Sequence, residues 1–581
     1  MRDGIIPNFM CHRKPKSMSD SKIPQNKVVD KSYAPSINFF KSDRILQNYL
    51  GRHLSADSRS YMEPLLDRQG IESAGRMNEL SLLADKSGPV LIKRNPFGET
   101  INEIAFHPAY WELMKIAVSS QMLRVKWEPA LKKRFAAEKH LLGFSAGFLY
   151  AMSESGQYCP LCMTDGVARL IDTFCEEEDK KRLLPGIYTD RGEEFCSGAM
   201  FLTEKSGGSD VGANLVKAKQ ISGRNYLLSG EKWFCSNVNA DIIFVLARTD
   251  ANISGTRGLS IFLVEKYLPG GKKNPLDIIR LKEKLGVRSM ASAECMLEET
   301  AGKLVGKEFE GFKIMAEMMN LSRLYNAVAA IAAARRALTE AYQFLCHRPS
   351  FGKTAIDHPL IRIKLEELAA LYTSIFYMMM RAIAALDRAD NGDVKEAALL
   401  RLLTPMIKKW SAESGVYIVR ECMELMGGIG YMEDLVMPKI MRDVMVLPIW
   451  EGAGNIMILD MLRALTKSEG FQVMCEEIRN AAAVQPETGV GMLSELHMLT
   501  ETALEFEKTD REILEASATT FFERLMNLYS DALLVLAIND ESAGWIMPSL
   551  QYYQKKKTQP RPVFSSPLST EQIKSMIGWQ F

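Results

Sequence analysis

A glutamate set between a large ring and a pair of glycines can be stripped of water and turned into a base. The run Trp450-Glu451-Gly452-Ala453-Gly454-Asn455 has that composition, and a desolvated carboxylate holds its proton more tightly than one in solvent. The same glutamate reads equally as a salt-bridge partner or a helix cap. Upstream, Thr203-Glu-Lys-Ser-Gly-Gly208-Ser209-Asp210 places a hydroxyl beside adjacent glycines, so backbone N–H groups can close on an anion; taken alone it is an ordinary turn. Gly230-Glu-Lys-Trp-Phe234-Cys-Ser236-Asn237 lines up two aromatics and a hydroxyl on one strand, for which core packing is the plain reading. Arg348-Pro-Ser-Phe351-Gly-Lys offers a guanidinium able to grip a phosphate with two parallel hydrogen bonds, or merely a loop at a helix start. Glu424-Leu-Met-Gly427-Gly428-Ile-Gly430-Tyr431 is a glycine cluster between helices. Cys159-Pro-Leu-Cys162 has redox or metal spacing, but no second Cys/His pair stands at ligand spacing, so buried thiols and no metal are expected.

The surrounding pattern says what must position these groups. Apolar residues at spacings of three and four predict a helical N-terminal domain over 39–195. Between 196 and 300 the period changes to two, with runs such as Ile242 to Leu246 and Leu259 to Val264 separated by turn residues, predicting a β domain. Helical periodicity returns in long segments with short breaks, the spacing of an antiparallel four-helix bundle over 301–465. Residues 466–581 read as a further helical domain, and 1–38 as a flexible tail whose prolines interrupt any amphipathic helix.

Composition bounds the function class. At 581 residues, 47% of them hydrophobic and 25% charged, the chain suits three or four globular domains. Its 72 basic residues nearly balance 71 acidic ones, so no global field draws it to nucleic acid or a membrane surface. The most apolar stretch, Ala327 to Ala334, ends at Arg335 and Arg336, short of the roughly 18 residues a spanning helix needs. Ten scattered cysteines read as reduced intracellular thiols, which points to the cytoplasm. The seven Lys/Arg among the first 31 residues keep a mitochondrial address open.

These motifs in their order, together with Lys284-Leu-Gly286-Val-Arg288 and Val305-Gly306-Lys-Glu-Phe-Glu-Gly311-Phe312, resemble the acyl-CoA dehydrogenase family from about residue 105 to residue 465. The forms Thr-Glu-Lys-x-Gly-Gly-Ser-Asp, Lys-Trp-Phe-x-Ser and Trp-Glu-Gly-x-Gly-Asn, with helical extensions at both ends, are similar to its alkylation-response AidB branch. The resemblance implies a mainly α fold with a central β barrel or sandwich, a four-helix bundle and an added C-terminal helical domain, with FAD between the β domain and the bundle. It places Met200, Thr203, Gly208 and Ser209 along the flavin, Ser236 at flavin N5, and Phe234 where many members stack a Trp on the ring. Arg348 and Phe351 match residues that reach the FAD of a neighbouring subunit, and Gly427 and Gly428 a loop at its adenosine; Asn455 belongs to the same set. A homo-oligomer follows, a dimer of dimers.

Glu451 matches the family's usual base, which takes the pro-R α-proton of an acyl-CoA while the β-hydride passes to flavin N5 and on to an electron acceptor. Arg323 and Trp450 are expected at the substrate. Members without this glutamate carry the base just before an arginine on an earlier helix, which here reads Leu321-Ser322-Arg323, and a serine cannot serve. Glu424 stands where most dehydrogenases have Gln, and Gly454-Asn455 replace a small polar residue and Gln. Two other readings stay open: an FAD-containing acyl-CoA sensor with little turnover, and a DNA-associated protein. Against the latter, residues 461–581 carry 11 basic and 16 acidic side chains, where duplex binding wants a basic face. The short patch at Lys555 to Lys557 and Arg561 reads as a solvated tail.

Overall fold

The computed structural model describes residues 37–539, 544–558 and 568–578. The tail expected over 1–38 therefore lies almost wholly outside the described residues, as do Arg561 and the side chains of Lys555 to Lys557.

The N-terminal region runs through α1 (Arg44–His53), α2 (Ala56–Ala74), α3 (Arg76–Lys86), the strands β1 (Val90–Arg94) and β2 (Thr100–Ala105), then α4 (Pro108–Ser119), short α5 (Arg124–Trp127) and α6 (Pro129–Arg134), α7 (Lys139–Ala151), α8 (Ser155–Phe174) and α9 (Glu177–Ile187). Side-chain caps start several of these helices: Asp43 accepts from the Leu46 N–H, Ser55 from Ser58 and Glu154 from Gln157. The β1–β2 hairpin interrupts a region expected to be mostly helical. Its strands are too short to impose a period against the flanking helices, and Lys93 ties it to the β domain through Asp277 at 2.5 Å.

The β domain comprises β3 (Gly198–Phe201), β4 (Lys217–Ser222), β5 (Asn225–Ser236), β6 (Ile242–Arg248), β7 (Leu259–Glu265), β8 (Leu276–Leu281) and β9 (Ser292–Val305). Pairings β4–β5–β9–β7–β6 return to β4 through the parallel bridge Lys217 to Arg248, closing a barrel, while β3 extends the β6 side and β8 pairs with β9. Strands β6 and β7 are buried at six successive residues, because helices cover the face that would otherwise meet water. Their continuous apolar runs thus depart from the expected alternation.

The bundle is built from α10 (Gly311–His347), a tight hairpin of β10 (Pro349–Ser350) and β11 (Lys353–Thr354), then α11 (Pro359–Asp390), α12 (Val394–Met426), α13 (Met437–Val444) and α14 (Gly454–Lys467). The alanine-rich middle of α10 lets α12 approach until a Cβ on Gly415 would sit 3.0 Å from the Ala330 carbonyl. Helix α11 is long and apolar enough to cross a membrane, but 83% of its most apolar window is buried inside the fold, so its hydrophobicity is that of a core helix.

Helices α15 (Gly470–Val484), α16 (Pro486–Leu504), α17 (Arg511–Asn539), α18 (Met547–Thr558) and α19 (Thr570–Ile577) follow. They pack on α11 and α12 rather than standing apart. Arg381 on α11 bridges Glu396 at 2.7 Å and Glu477 of α15 at 2.5 Å. Fully buried Arg335 ties the start of α1 to the end of α19, pairing with Asp43 at 2.8 Å and donating to the Ile577 and Gly578 carbonyls.

Candidate active site

Glu451 lies in the segment between α13 and α14, in a backbone conformation unusual for a side-chain-bearing residue, φ +58°, followed by Gly452 at φ +105°. A non-glycine residue there costs about 1–3 kcal/mol and persists only when its surroundings over-determine it. Those surroundings are explicit. Asn326 of α10 donates to the Leu447 carbonyl at 3.1 Å. Lys408 of α12 donates to Pro448 at 3.1 Å and to Gly452 at 2.5 Å. Arg323 of α10 donates from Nε to the Glu451 carbonyl at 3.2 Å and from Nη1 to Asp460 of α14 at 2.6 Å. Four carbonyls of one short segment are thus held by side chains from two bundle helices.

The carboxyl itself is desolvated, and burial pushes its pKa above the ordinary glutamate value; the Ser322 hydroxyl donating to it and the charges of Arg323 and Lys408 oppose that rise. Cys162 donates to the Ser322 oxygen at 3.2 Å. Burial drives the Cys159 thiol up to about 12 and that of Cys162 up as well, with the Glu451 charge adding to both. The pair set aside as plain buried thiols therefore borders the candidate base. The high pKa values leave both as thiols, unlike ligating or redox-active thiolates.

A second group of expected residues gathers on the barrel edge. The Trp233 N–H donates to the Thr203 carbonyl at 2.9 Å, which sets the Thr203 segment beside Phe234 and Ser236 of β5. Buried Glu204 fixes that segment, paired with Lys232 at 2.8 Å and accepting from the Leu215 N–H at 2.5 Å. Met200 stands half-buried in β3, while Gly208 and Ser209 are exposed, Gly208 lying against Thr203. Phe234 shows 60% of its surface to solvent, with the Lys282 ammonium 4.7 Å from its ring centre. The Ser236 and Ser292 hydroxyls are 3.5 Å apart, and Lys284 reaches Ser292 at 3.4 Å. Lys284, pushed down to about 8 by burial, interacts in turn with Cys159. This chain of neighbours puts the barrel edge and Glu451 on the same side of the molecule. The Val287 N–H donating to Asp443 of α13 at 2.6 Å joins the two bodies there.

The third group sits elsewhere. Arg348 donates to the Met426 carbonyl at 3.4 Å and lies beside Gly427, with Gly428 exposed next to it. Phe351, 96% exposed and at φ +47°, tips the β10–β11 hairpin. From Lys408, beside the Glu451 segment, to Met426 is 18 residues of α12, or roughly 27 Å at the rise of an α-helix. Within one chain this group is therefore remote from Glu451. Trp450 is half-buried next to Glu451, and exposed Asn455 lies in the first turn of α14, its side-chain oxygen accepting from the Ile456 N–H at 3.0 Å. Arg323, expected at the substrate, commits Nε and Nη1 to acceptors of the protein itself.

Residues 310–466 match the acyl-CoA dehydrogenase C-terminal domain, 199–300 its middle domain, and 32–191 the adaptive response protein AidB N-terminal domain. AidB of Escherichia coli is 35% identical over 413 residues, covering 69% of this chain and 73% of the relative. The chain belongs to the acyl-CoA dehydrogenase family. Acyl-CoA dehydrogenase family member 11 of Caenorhabditis elegans is 30% identical over 450 residues, 75% of this chain and 72% of that protein. The solved structure of Caenorhabditis elegans ACDH-11 in complex with C11-CoA superposes with a TM-score of 0.83 at 25% identity, covering 97% and 95% of the two chains. The protein is thus an AidB-like flavoenzyme of the acyl-CoA dehydrogenase family, and FAD is the family's cofactor. The barrel edge suits that group: an open aromatic face at Phe234, hydroxyls at Thr203, Ser209 and Ser236, and an exposed loop at Gly208 and Ser209 are what a flat ring and a pyrophosphate require.

Sequence reading missed Lys408 and Asn326. Lys408-Lys409 on a helix looks like a solvated face, and nothing in the local pattern shows that Lys408 turns inward. Ser322 was weighed only as a base, not as a donor to one.

Proposed function

We propose that the protein oxidises an acyl-CoA thioester between its α and β carbons, with Glu451 as the base that removes the α-proton. FAD, when bound, accepts the β-hydride and hands the electrons to a separate acceptor. The observation that carries the reading is the placement of Glu451: a desolvated carboxyl with a raised pKa, on a loop whose carbonyls are tied down, beside the barrel edge suited to the flavin. A thioester α-proton is too weakly acidic for an ordinary solvated carboxylate, so raising the base's proton affinity and polarising the carbonyl are both needed. Ser322 donates to the carboxylate and holds it in one orientation, and the Glu451 main-chain N–H is the group proposed to polarise the thioester carbonyl. Met200, Thr203, Gly208, Ser209, Phe234 and Ser236 are proposed to bind FAD, and Trp450 to border the acyl group. ACDH-11, solved with C11-CoA, supports a fatty acyl-CoA as substrate.

The remoteness of Arg348, Phe351, Gly427 and Gly428 from Glu451 in their own chain supports a shared site, in which they serve the FAD of a second copy in a homotetramer. The deciding experiment adds straight and branched acyl-CoAs to the FAD-bound protein without oxygen while the flavin absorbance is followed. Rapid bleaching by one chain class supports the dehydrogenase and names its substrate. Tight acyl-CoA binding without bleaching by any of them would replace it with the sensor.

A further inference from the structure

A catalytic carboxylate on a strained backbone needs something to hold it, and the groups that do so here come from α10 and α12 rather than from the loop itself. Lys408 is 1% exposed. A lysine carries three N–H donors and no acceptor; two of the Lys408 donors are fixed, on Pro448 at 3.1 Å and Gly452 at 2.5 Å, so the ammonium spans the bend at whose apex Glu451 stands. Its charge also acts on the Glu451 carboxyl, alongside Arg323 and the Ser322 hydroxyl. The other charged groups facing Lys408 are Glu413 and Lys409 on its own helix and Arg323 from α10.

We infer that Lys408 is a positioning residue for the base: its ammonium clamps the bend carrying Glu451 and supplies a positive charge beside the carboxylate. The inference rests on Glu451 being the base. Clamp and charge are separable, because Lys408 is pushed down to about 8 by burial, and a neutral amine keeps N–H donors for both carbonyls while losing its charge. A misplaced base slows proton abstraction without changing how the remote part of the substrate binds. A base deprived of its neighbouring cation holds its proton to higher pH.

The test uses the FAD-bound protein and an acyl-CoA that bleaches the parent flavin, in anaerobic rapid mixing across pH. Lys408→Met is expected to lower the limiting rate of flavin reduction on the order of a hundredfold, with little change in the acyl-CoA concentration giving half that rate. Its acid limb should move up by about one to three pH units. Lys408→Arg, which keeps the charge but replaces the compact ammonium of the clamp by a larger planar guanidinium, should lose rate with the acid limb in place. A Met variant that retains FAD and matches the parent in rate and acid limb overturns the inference. So does an Arg variant whose limb shifts as far as the Met variant's. Should Lys408→Met fail to fold, Lys408→Arg decides alone: a lowered rate on an unmoved limb supports the clamp, and the parent's rate refutes it. Glu451→Gln runs beside them; bleaching by that variant at the parent rate removes the base assignment itself, an outcome distinct from any result at Lys408.

Discussion

At Glu451 the side chain and the backbone make opposite demands. The carboxyl gains proton affinity by leaving water, but the segment bearing it can leave water only if its carbonyls find donors. Asn326, Arg323 and Lys408 supply them, and the Ser322 hydroxyl keeps the carboxylate in one orientation. Replacing the carboxylate by an amide removes the base while keeping its shape. Glu451→Gln is therefore expected to retain bound FAD and to lose acyl-CoA-dependent bleaching by about a hundredfold or more, read by anaerobic stopped-flow absorbance. The type and neighbours of Glu451 in the chain announced a candidate base, but they did not announce Ser322, Cys162 or Lys408. Those lie 43 or more positions away in the chain and arrive by helix packing.

At the scale of elements, buried charge couples helices that sequence periodicity treats as independent. Arg381 joins α11 to Glu396 of α12 and Glu477 of α15, and Tyr529 of α17 donates to Glu477 at 2.6 Å. Removing the arginine leaves largely buried Glu477 without the Arg381 cation and Glu396 with only Arg388 at 2.8 Å, so Arg381→Ala should lower stability on the order of 3 kcal/mol, seen as an earlier urea midpoint. A second coupling lies at the start of α7. Its His140 and Leu141 N–H groups donate to Asp387 of α11 at 2.8 and 2.9 Å, and the His140 ring meets Asp390 at 2.8 Å. Burial pushes His140 down to about 4. Below its ordinary value of 6.5, the unfolded chain takes up a proton that the folded one refuses, so the stabilisation from neutral His140 is full above pH 6.5 and is lost as pH falls through about 4. Asp387, pushed up to about 7 by burial, acts in the opposite sense over the same range. The advantage of the parent over His140→Gln should accordingly shrink between pH 6.5 and about 4, measured by urea unfolding at each pH.

For the whole molecule, the placement of Arg348 and Gly427 at the far end of α12 from Lys408 makes assembly part of the proposed chemistry. Arg348→Ala should weaken FAD retention and reduce the oligomer together, checked by flavin content and light scattering after gel filtration; unchanged values of both would remove the shared site. The sequence by itself determined the alternation of helical, β and helical regions and the family, and singled out Glu451 as the candidate base, because periodicity and short motifs are written in neighbouring residues. The β1–β2 hairpin escaped it, since five or six residues per strand carry too little pattern against flanking helices. So did the burial of β6 and β7 on both faces, which depends on helices from elsewhere in the chain. Only the tertiary structure decided that Lys408 turns inward, that Cys159 and Cys162 border Glu451, and that Arg335 fastens Asp43 to the carbonyls of Ile577 and Gly578. The physical reason is common to all of these. A buried charge or a strained bend is tolerable only with partners at hydrogen-bond distance, and those partners are chosen by which helices pack together, not by which residues adjoin in the chain.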